Sequence, residues 1–246
     1  MSDTLTLQQR ATATTQRAPR LDLYAFIHKA LRQFMHETLA RLGRLDVEDS
    51  DERNGTLDQV DALLQQLRCH VQHENDFIHT AIEARRPGAS RHTADDHLLH
   101  GDAIGNLEDE SRALRNGRAD QRAALAQRLY RHLAAFVGEN LQHMHIEETE
   151  NNATLWALYT DPELADLHDR LVGSLPPDEM ALTARWMAAA LNPQELALVF
   201  GDIQRKAPAA ALQALLDVTR PVLSDTRWAQ LNRALGRPPV PGLVDV

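Results

Sequence analysis

Residues 142–148 read Gln142-His143-Met144-His145-Ile146-Glu147-Glu148. His143 and Glu147 are four apart, about one turn of α-helix, so both side chains leave the same face. That face continues upstream through Leu129, Leu133, Phe136 and Asn140, in steps of three and four. It is the inward stripe of an amphipathic helix. An imidazole and a carboxylate on such a stripe are costly to bury unless something pairs with them.

The signature recurs. Cys69-His70-Val71-Gln72-His73-Glu74 again places a histidine and a glutamate four apart, His70 and Glu74. Two further segments, Ile27-His28-Lys29 and Asp96-His97-Leu98-Leu99-His100, also carry histidines on helical stripes. The chain holds twelve histidines against two lysines and one cysteine. Around these segments the periodicity predicts four long helices. The first spans about residues 21–43, with Leu21, Tyr24, His28, Leu31, Met35, Leu39 and Leu42 on one face. Residues 46–55, charged and ending in Asn54-Gly55, read as a loop. The second spans about 56–85, on Val60, Leu63, Leu67, His70, Glu74, Phe77 and Ala81, and stops at Pro87-Gly88. The third spans about 93–115 and ends at Asn116-Gly117; the fourth starts near Asp120 and runs past Glu148 towards Leu158.

Short loops between long helices imply antiparallel neighbours, so residues 20–160 are expected to form an up-down four-helix bundle of the all-α class. His28 lies about 16 residues (~24 Å) before the first loop and His70 about 14 residues (~21 Å) after it, which sets the two at one level. His100 lies nearer the third connection than His143, so that turn must be longer or the helices staggered. Residues 1–19 read as a disordered tail. From Asp161 the texture changes to short helical pieces opened by Pro176-Pro177, Asn192-Pro193, Ala207-Pro208 and Arg220-Pro221. Residues 161–246 are therefore expected to be a helical extension, packed on the bundle or on a second subunit, with a tail from Pro238.

Composition narrows the function. Hydrophobic residues make up 43% of the 246 and aromatics only 4%, while good helix formers dominate. The formal charge of −9 argues against nonspecific binding to nucleic acid or an anionic membrane, both of which reward a basic surface. One cysteine cannot form an internal disulfide. The polar N-terminal twenty residues lack the apolar run of a secretory signal, and no window has the ~18 apolar residues of a membrane span. A cytoplasmic protein is expected.

Imidazole together with carboxylate suits iron, zinc or manganese. His28, His70, His100 and His143 offer one imidazole from each helix, and Glu74 and Glu147 add two carboxylates. Six side chains exceed the three or four that one zinc ion uses. They fit two octahedral ions bridged by the carboxylates and by an oxo or hydroxo oxygen. Ferritin-like di-iron proteins use Glu-x-x-His pairs; the order here is reversed, His-x-x-x-Glu, with fewer carboxylates, which favours mild or reversible redox chemistry.

On these motifs the region from about residue 21 to 158 resembles a hemerythrin-like (HHE cation-binding) domain. The resemblance implies a non-haem di-iron centre, two carboxylate- and oxo/hydroxo-bridged iron ions, held by His28, His70, Glu74, His100, His143 and Glu147. Oxygen-carrying hemerythrins place two histidines four apart on the third helix; here His97 and His100 are three apart, and Asp96 holds the four-back position. Their last histidine and carboxylate are five apart, which would select Glu148 over Glu147. His97 is thus either a ligand or a rim residue, and the second bridge is either Glu147 or Glu148.

The other histidines have plainer readings. His73 and His145 are expected at the edge of the site or in solvent, and His36 on a bundle face without metal. His79, His92, His132 and His168 are expected to be ordinary polar residues, and Cys69, turned about 100° from His70, a small buried hydrophobe. The function the resemblance implies is binding or sensing of dioxygen, another small diatomic ligand or redox state, with Leu31, Phe77, Ile104 and Phe136 lining a dry pocket. Two other readings stay open. One is an enzyme on the same centre acting on nitric oxide, peroxide or ferrous iron, with Asp96, Asp102 and Glu148 at its rim. The other is a helical interaction module with a structural metal, a homodimer through the C-terminal half included.

Overall fold

The computed structural model describes residues 20–239 and residue 242, and among these there is no strand. The expected tail over residues 1–19 lies outside the described residues, as does most of the expected C-terminal tail. Helix α1 is Ala25–Gly43. It starts later than the apolar pattern predicts because Asp22 accepts from the backbone N–H groups of Tyr24 and Ala25, at 2.9 and 3.0 Å, and fixes the entry there.

Helix α2 is Ser50–His73. Here the predicted loop is corrected: Asp49 caps the helix by accepting from the N–H groups of Asp51 and Glu52, so Asn54-Gly55 falls inside α2. Asp51 and Glu52 in the first turn also suit the positive end of the helix dipole. A π-turn over Glu74–His79 follows without a break, then α3, Thr80–Arg85. Helices α4 (Arg91–Asn116) and α5 (Ala119–Ile146) are joined by only Gly117 and Arg118. A second π-turn, Glu147–Asn151, leads from α5 into α6, Asn152–Leu158.

Each of the long helices lies against two others: α1 against α2 and α5, and α4 against α2 and α5. Between them sits one apolar core that includes Leu31, Phe34, Met35, Leu63, Leu67, Ile104, Leu133 and Phe136. At the end of α1, a Cβ on Gly43 would stand 2.9 Å from the Tyr130 ring, so the close approach of α1 to α5 needs a glycine there.

The π-turns shift the stripes. On an uninterrupted α-helix, Phe77 and Ala81 would continue the face of His70 and Glu74. In the structure Ile78 and Ile82 are buried instead, and Phe77 and Ala81 are only partly so. One extra residue per turn rotates everything downstream of Glu74 by about one position.

The C-terminal part forms α7 (Asp161–Ser174), α8 (Pro177–Ala190), α9 (Pro193–Lys206), α10 (Ala209–Thr219), a 3-10 turn (Arg220–Val222) and α11 (Asp225–Ala234). The breaks fall where the prolines predict. Thr160 with Glu163 and Asn192 with Glu195 form capping boxes, and Pro162, Pro177 and Pro193 sit in first turns, where no backbone N–H is required. The extension packs on α1, α2 and the first π-turn of its own chain. Helix α8 lies along α1, and Trp186 stacks on Phe34 with ring centroids 4.0 Å apart. A separate apolar cluster, with Leu196, Phe200, Leu216 and Leu231, holds α8 to α11 together. Among the described residues no helix is long and apolar enough to cross a membrane.

Candidate metal centre

Four helical segments deliver six side chains to one buried point. His28 comes from α1, His70 from α2, His97 from α4 and His143 from α5, while Glu74 and Glu147 each open a π-turn. The Nε2 atoms of His28 and His70 face Glu74 Oε1 at 3.6 and 3.2 Å, and His28 Nε2 also lies 3.5 Å from Glu147 Oε2. On the other side, His97 Nε2 faces Glu74 Oε2 at 3.4 Å and Glu147 Oε1 at 3.6 Å, and His143 Nε2 faces Glu147 Oε1 at 3.3 Å. The Nε2 atoms of His97 and His143 are 3.0 Å apart.

Two four-residue groups result, each with donor atoms within 4.8 Å of one another: His28, His70, Glu74 and Glu147, and Glu74, His97, His143 and Glu147. Each glutamate belongs to both and offers one oxygen to each histidine pair. Six of these atoms, His28 Nε2, His70 Nε2 and all four oxygens of Glu74 and Glu147, are buried with no hydrogen-bond partner. Buried polar atoms without partners are rare in folded proteins and call for an ion or an equivalent group. Neighbouring donors on one ion with bonds of about 2.1 Å lie roughly 3.0–3.4 Å apart, close to the separations seen here. The residues fit metal binding.

The far side of three rings is fixed as well. His28 Nδ1 lies 3.1 Å from Glu148 Oε1, His97 Nδ1 2.8 Å from Asn75 Oδ1, and His143 Nδ1 3.2 Å from Asp96 Oδ2. Each acceptor requires a proton on Nδ1 and so turns the Nε2 lone pair inward, the usual arrangement around metal-binding histidines. Glu148 is itself clamped by the Arg32 guanidinium, with both oxygens engaged at 2.6 and 3.0 Å.

Without metal, charge is balanced by protons. Burial pushes His28 down, but the carboxylates of Glu148, Glu74 and Glu147 outweigh it and raise its pKa to about 9. His97 behaves alike: burial opposes charge, yet Glu147 and Glu74 raise it to about 9. Burial dominates at His70 and His100, and both fall to about 4. Burial also works against ionisation of Glu74 and Glu147, but the surrounding histidines hold both carboxyls below the usual range. Two imidazolium groups thus stand in for cations between two carboxylates.

The hemerythrin HHE cation-binding domain model matches residues 21–155, more than half of the chain. The chain belongs to this hemerythrin family. No curated protein and no solved structure matches it. The matched region contains every residue of the two groups and stops short of the C-terminal extension.

Of the residues singled out in this hemerythrin-family sequence, the structure brings together His28, His70, Glu74, His143 and Glu147, together with His97, which the sequence left open as ligand or rim residue. It sets His100 outside both groups, edge-on to His143 at 4.7 Å and to Phe136 at 5.7 Å. Glu148 lies behind His28 rather than beside Nε2. The two-residue turn between α4 and α5 leaves those helices staggered, so both His97 and His100 pack on the His143 ring, but it is His97, one turn farther from the connection, whose Nε2 meets His143 Nε2.

His79 departs from the plain reading. It is buried, stacks on His97 with centroids 4.8 Å apart, and shares a hydrogen bond of 3.0 Å with Thr93 Oγ1. Five residues beyond Glu74, it reaches the inner face only because the π-turn intervenes. Asn151, in the second π-turn, donates to Thr93 Oγ1 and to the Tyr24 hydroxyl, which closes the floor of the site below His28. Asn75, Asn151 and Tyr24 carry no sequence signal for these roles. Cys69 is half-buried and accepts from Gln65 rather than filling the core. His36, His92, His132 and His145 are exposed.

Proposed function

We propose that this hemerythrin-family chain is a non-haem di-iron protein, an up-down four-helix bundle that binds or senses dioxygen, another small diatomic ligand or redox state, in the cytoplasm. The observation that carries the reading is the sharing of both carboxylates. Glu74 and Glu147 each present one oxygen to the His28/His70 pair and one to the His97/His143 pair. A single ion needs no such division; two ions side by side do. The ligand set is then His28, His70, His97, His143, Glu74 and Glu147, four donors towards each ion, which leaves positions open under octahedral preference. A bound iron pair would supply one-electron couples suited to reversible uptake of a diatomic ligand.

The chain's own residues prepare the site for that use. Leu31, Ile104 and Phe136 are buried in the adjoining core and keep water out, while Phe77, rotated by the π-turn, is only partly buried in another cluster. Arg32, Glu148, Asn75 and Asp96 hold the imidazoles in one orientation. Neutral imidazoles outnumber carboxylates, which favours mild rather than strongly oxidising chemistry. The test is metal analysis of the purified chain with visible spectra before and after reduction. An iron-to-chain ratio of about two, with a charge-transfer band that appears in air and bleaches on reduction, is expected. One tightly bound zinc and no such band would overturn the reading.

A further inference from the structure

Between the long helices and the C-terminal extension lies a cavity of about 380 Å³. Its walls come from α1, α2, α7, α8 and α9, and most are apolar: Phe26 and Ile27 on one side face Leu171, Met180, Val199 and Ile203 on the other. All six remain partly accessible although they lie between packed helices. The rim carries Leu198, 65% exposed. The family match does not reach this side of the cavity, since it ends at residue 155.

One polar pair sits in the wall. Gln66 donates through Nε2 to Thr183 Oγ1 at 3.1 Å, which ties α2 to α8. Gln66 is 4% exposed and Thr183 8%, and Gln66 Oε1 is buried with no hydrogen-bond partner. The pair therefore holds one unused acceptor, Gln66 Oε1, and one hydroxyl proton, on Thr183, just inside the wall, where a small shift of the Gln66 side chain brings the acceptor to an occupant. The cations in the lining are already matched: His73 with Glu179 at 3.3 Å, and Lys206 with Asp169 at 2.5 Å and Asp202 at 2.9 Å, while Asp22 accepts from backbone N–H groups at the mouth. An anionic head would have to displace Glu179, Asp169 or Asp202, and a charged head of either sign beside Gln66 would lose its hydration among apolar walls.

We propose that this cavity is a binding site for an uncharged amphipathic molecule, a hydroxyl head on an apolar body. The head donates to Gln66 Oε1 and accepts from Thr183, and the body lies between α1 and α9. The volume lies within the range of small-molecule sites. Scaled from a cavity of about 150 Å³ that holds one benzene, it takes roughly fifteen non-hydrogen atoms. His70 and Glu74 line the same space, so the occupant sits beside the metal centre, and the C-terminal extension acquires a role. The inference does not depend on the identity or number of the metal ions.

The test is isothermal titration of the full chain, as purified, with decan-1-ol, decanoate and decylammonium, which share a tail and differ in the head. Metal content is measured separately, so a failed metal reading and a failed cavity reading give different results. One decan-1-ol per chain is expected, bound at least about tenfold more tightly than either ion, a margin of roughly one hydrogen bond. Gln66→Leu should weaken decan-1-ol about tenfold, and Val199→Trp should abolish binding by filling the wall, with circular dichroism confirming the fold. Should Gln66→Leu fail to fold, Thr183→Val carries the same test. Equal binding of all three heads, preference for an ion, unchanged affinity in the folded Gln66 or Thr183 variant, or no binding of decan-1-ol would each overturn the proposal.

Discussion

Glu74 and Glu147 hold equivalent places: each follows a histidine by four residues, each opens a π-turn, and each divides its two oxygens between the same two histidine pairs. The equivalence is not a matter of sequence repetition, because the residues after the two glutamates differ. What the two segments share is a local widening of the helix at the point where a carboxylate must face inward. π-turns within α-helices concentrate at functional sites, and both instances among the described residues lie at this centre.

A bridging role makes a distinctive prediction. Glu147→Ala removes a donor from both groups and should strip both positions, while His70→Ala affects only the His28/His70 side and should leave roughly half the metal. Elemental analysis of the two variants after extensive dialysis distinguishes these outcomes. Equal losses in both would argue that the carboxylate serves one position alone.

Glu148 should behave as a positioning residue. Glu148→Gln, or Arg32→Ala, loosens the hold on His28 Nδ1 without removing a donor atom, so saturating metal should still fill the site at unchanged stoichiometry. Affinity on the His28/His70 side should fall by about 10–100-fold, the usual effect of losing such a partner. Competition with a chromophoric chelator reads both quantities. A drop in stoichiometry would instead make Glu148 a ligand.

Proton competition sets the pH dependence of metal uptake. His28 and His97, raised to about 9, are protonated at neutral pH in the metal-free chain and must lose those protons to bind. Affinity on each side should therefore rise about tenfold per pH unit up to about pH 9 and then level. For the metal-free fold the sign is opposite. Raised histidine pKa values stabilise it fully below about 6.5, and that contribution fades as pH climbs through 9. Chelator-treated protein should melt at a lower temperature at pH 9.5 than at pH 6.5; indifference to pH in that range would contradict the paired charges.

The joint between extension and bundle depends on Trp186. Its stacking on Phe34 is the main aromatic contact from α8 into the long-helix core. Trp186→Ala should cost about 3–5 kcal/mol and lower the melting temperature by roughly 10 °C. A change of less than about 1 kcal/mol would mean that α8 is held chiefly by its other contacts.

Sequence periodicity alone determined the four long helices, the inward placement of His28, His70, His143 and Glu74, and the proline-punctuated breaks of the extension. All of these depend on spacing within one helix, and α-helical geometry converts spacing into direction without reference to anything else. Tertiary structure decided what spacing cannot reach. Stagger between α4 and α5 selected His97 over His100 to join His143 at the two carboxylates, since relative height is set by how two helices pack. The π-turns, which no residue announces, moved burial from Phe77 to Ile78 and drew His79 and Asn151 under the site. Glu147 and Glu148 are neighbours with the same chemistry, and both remained candidates until the packing of α1 was known: Glu147 faces the imidazole nitrogens, while Glu148 lies behind His28 in the grip of Arg32.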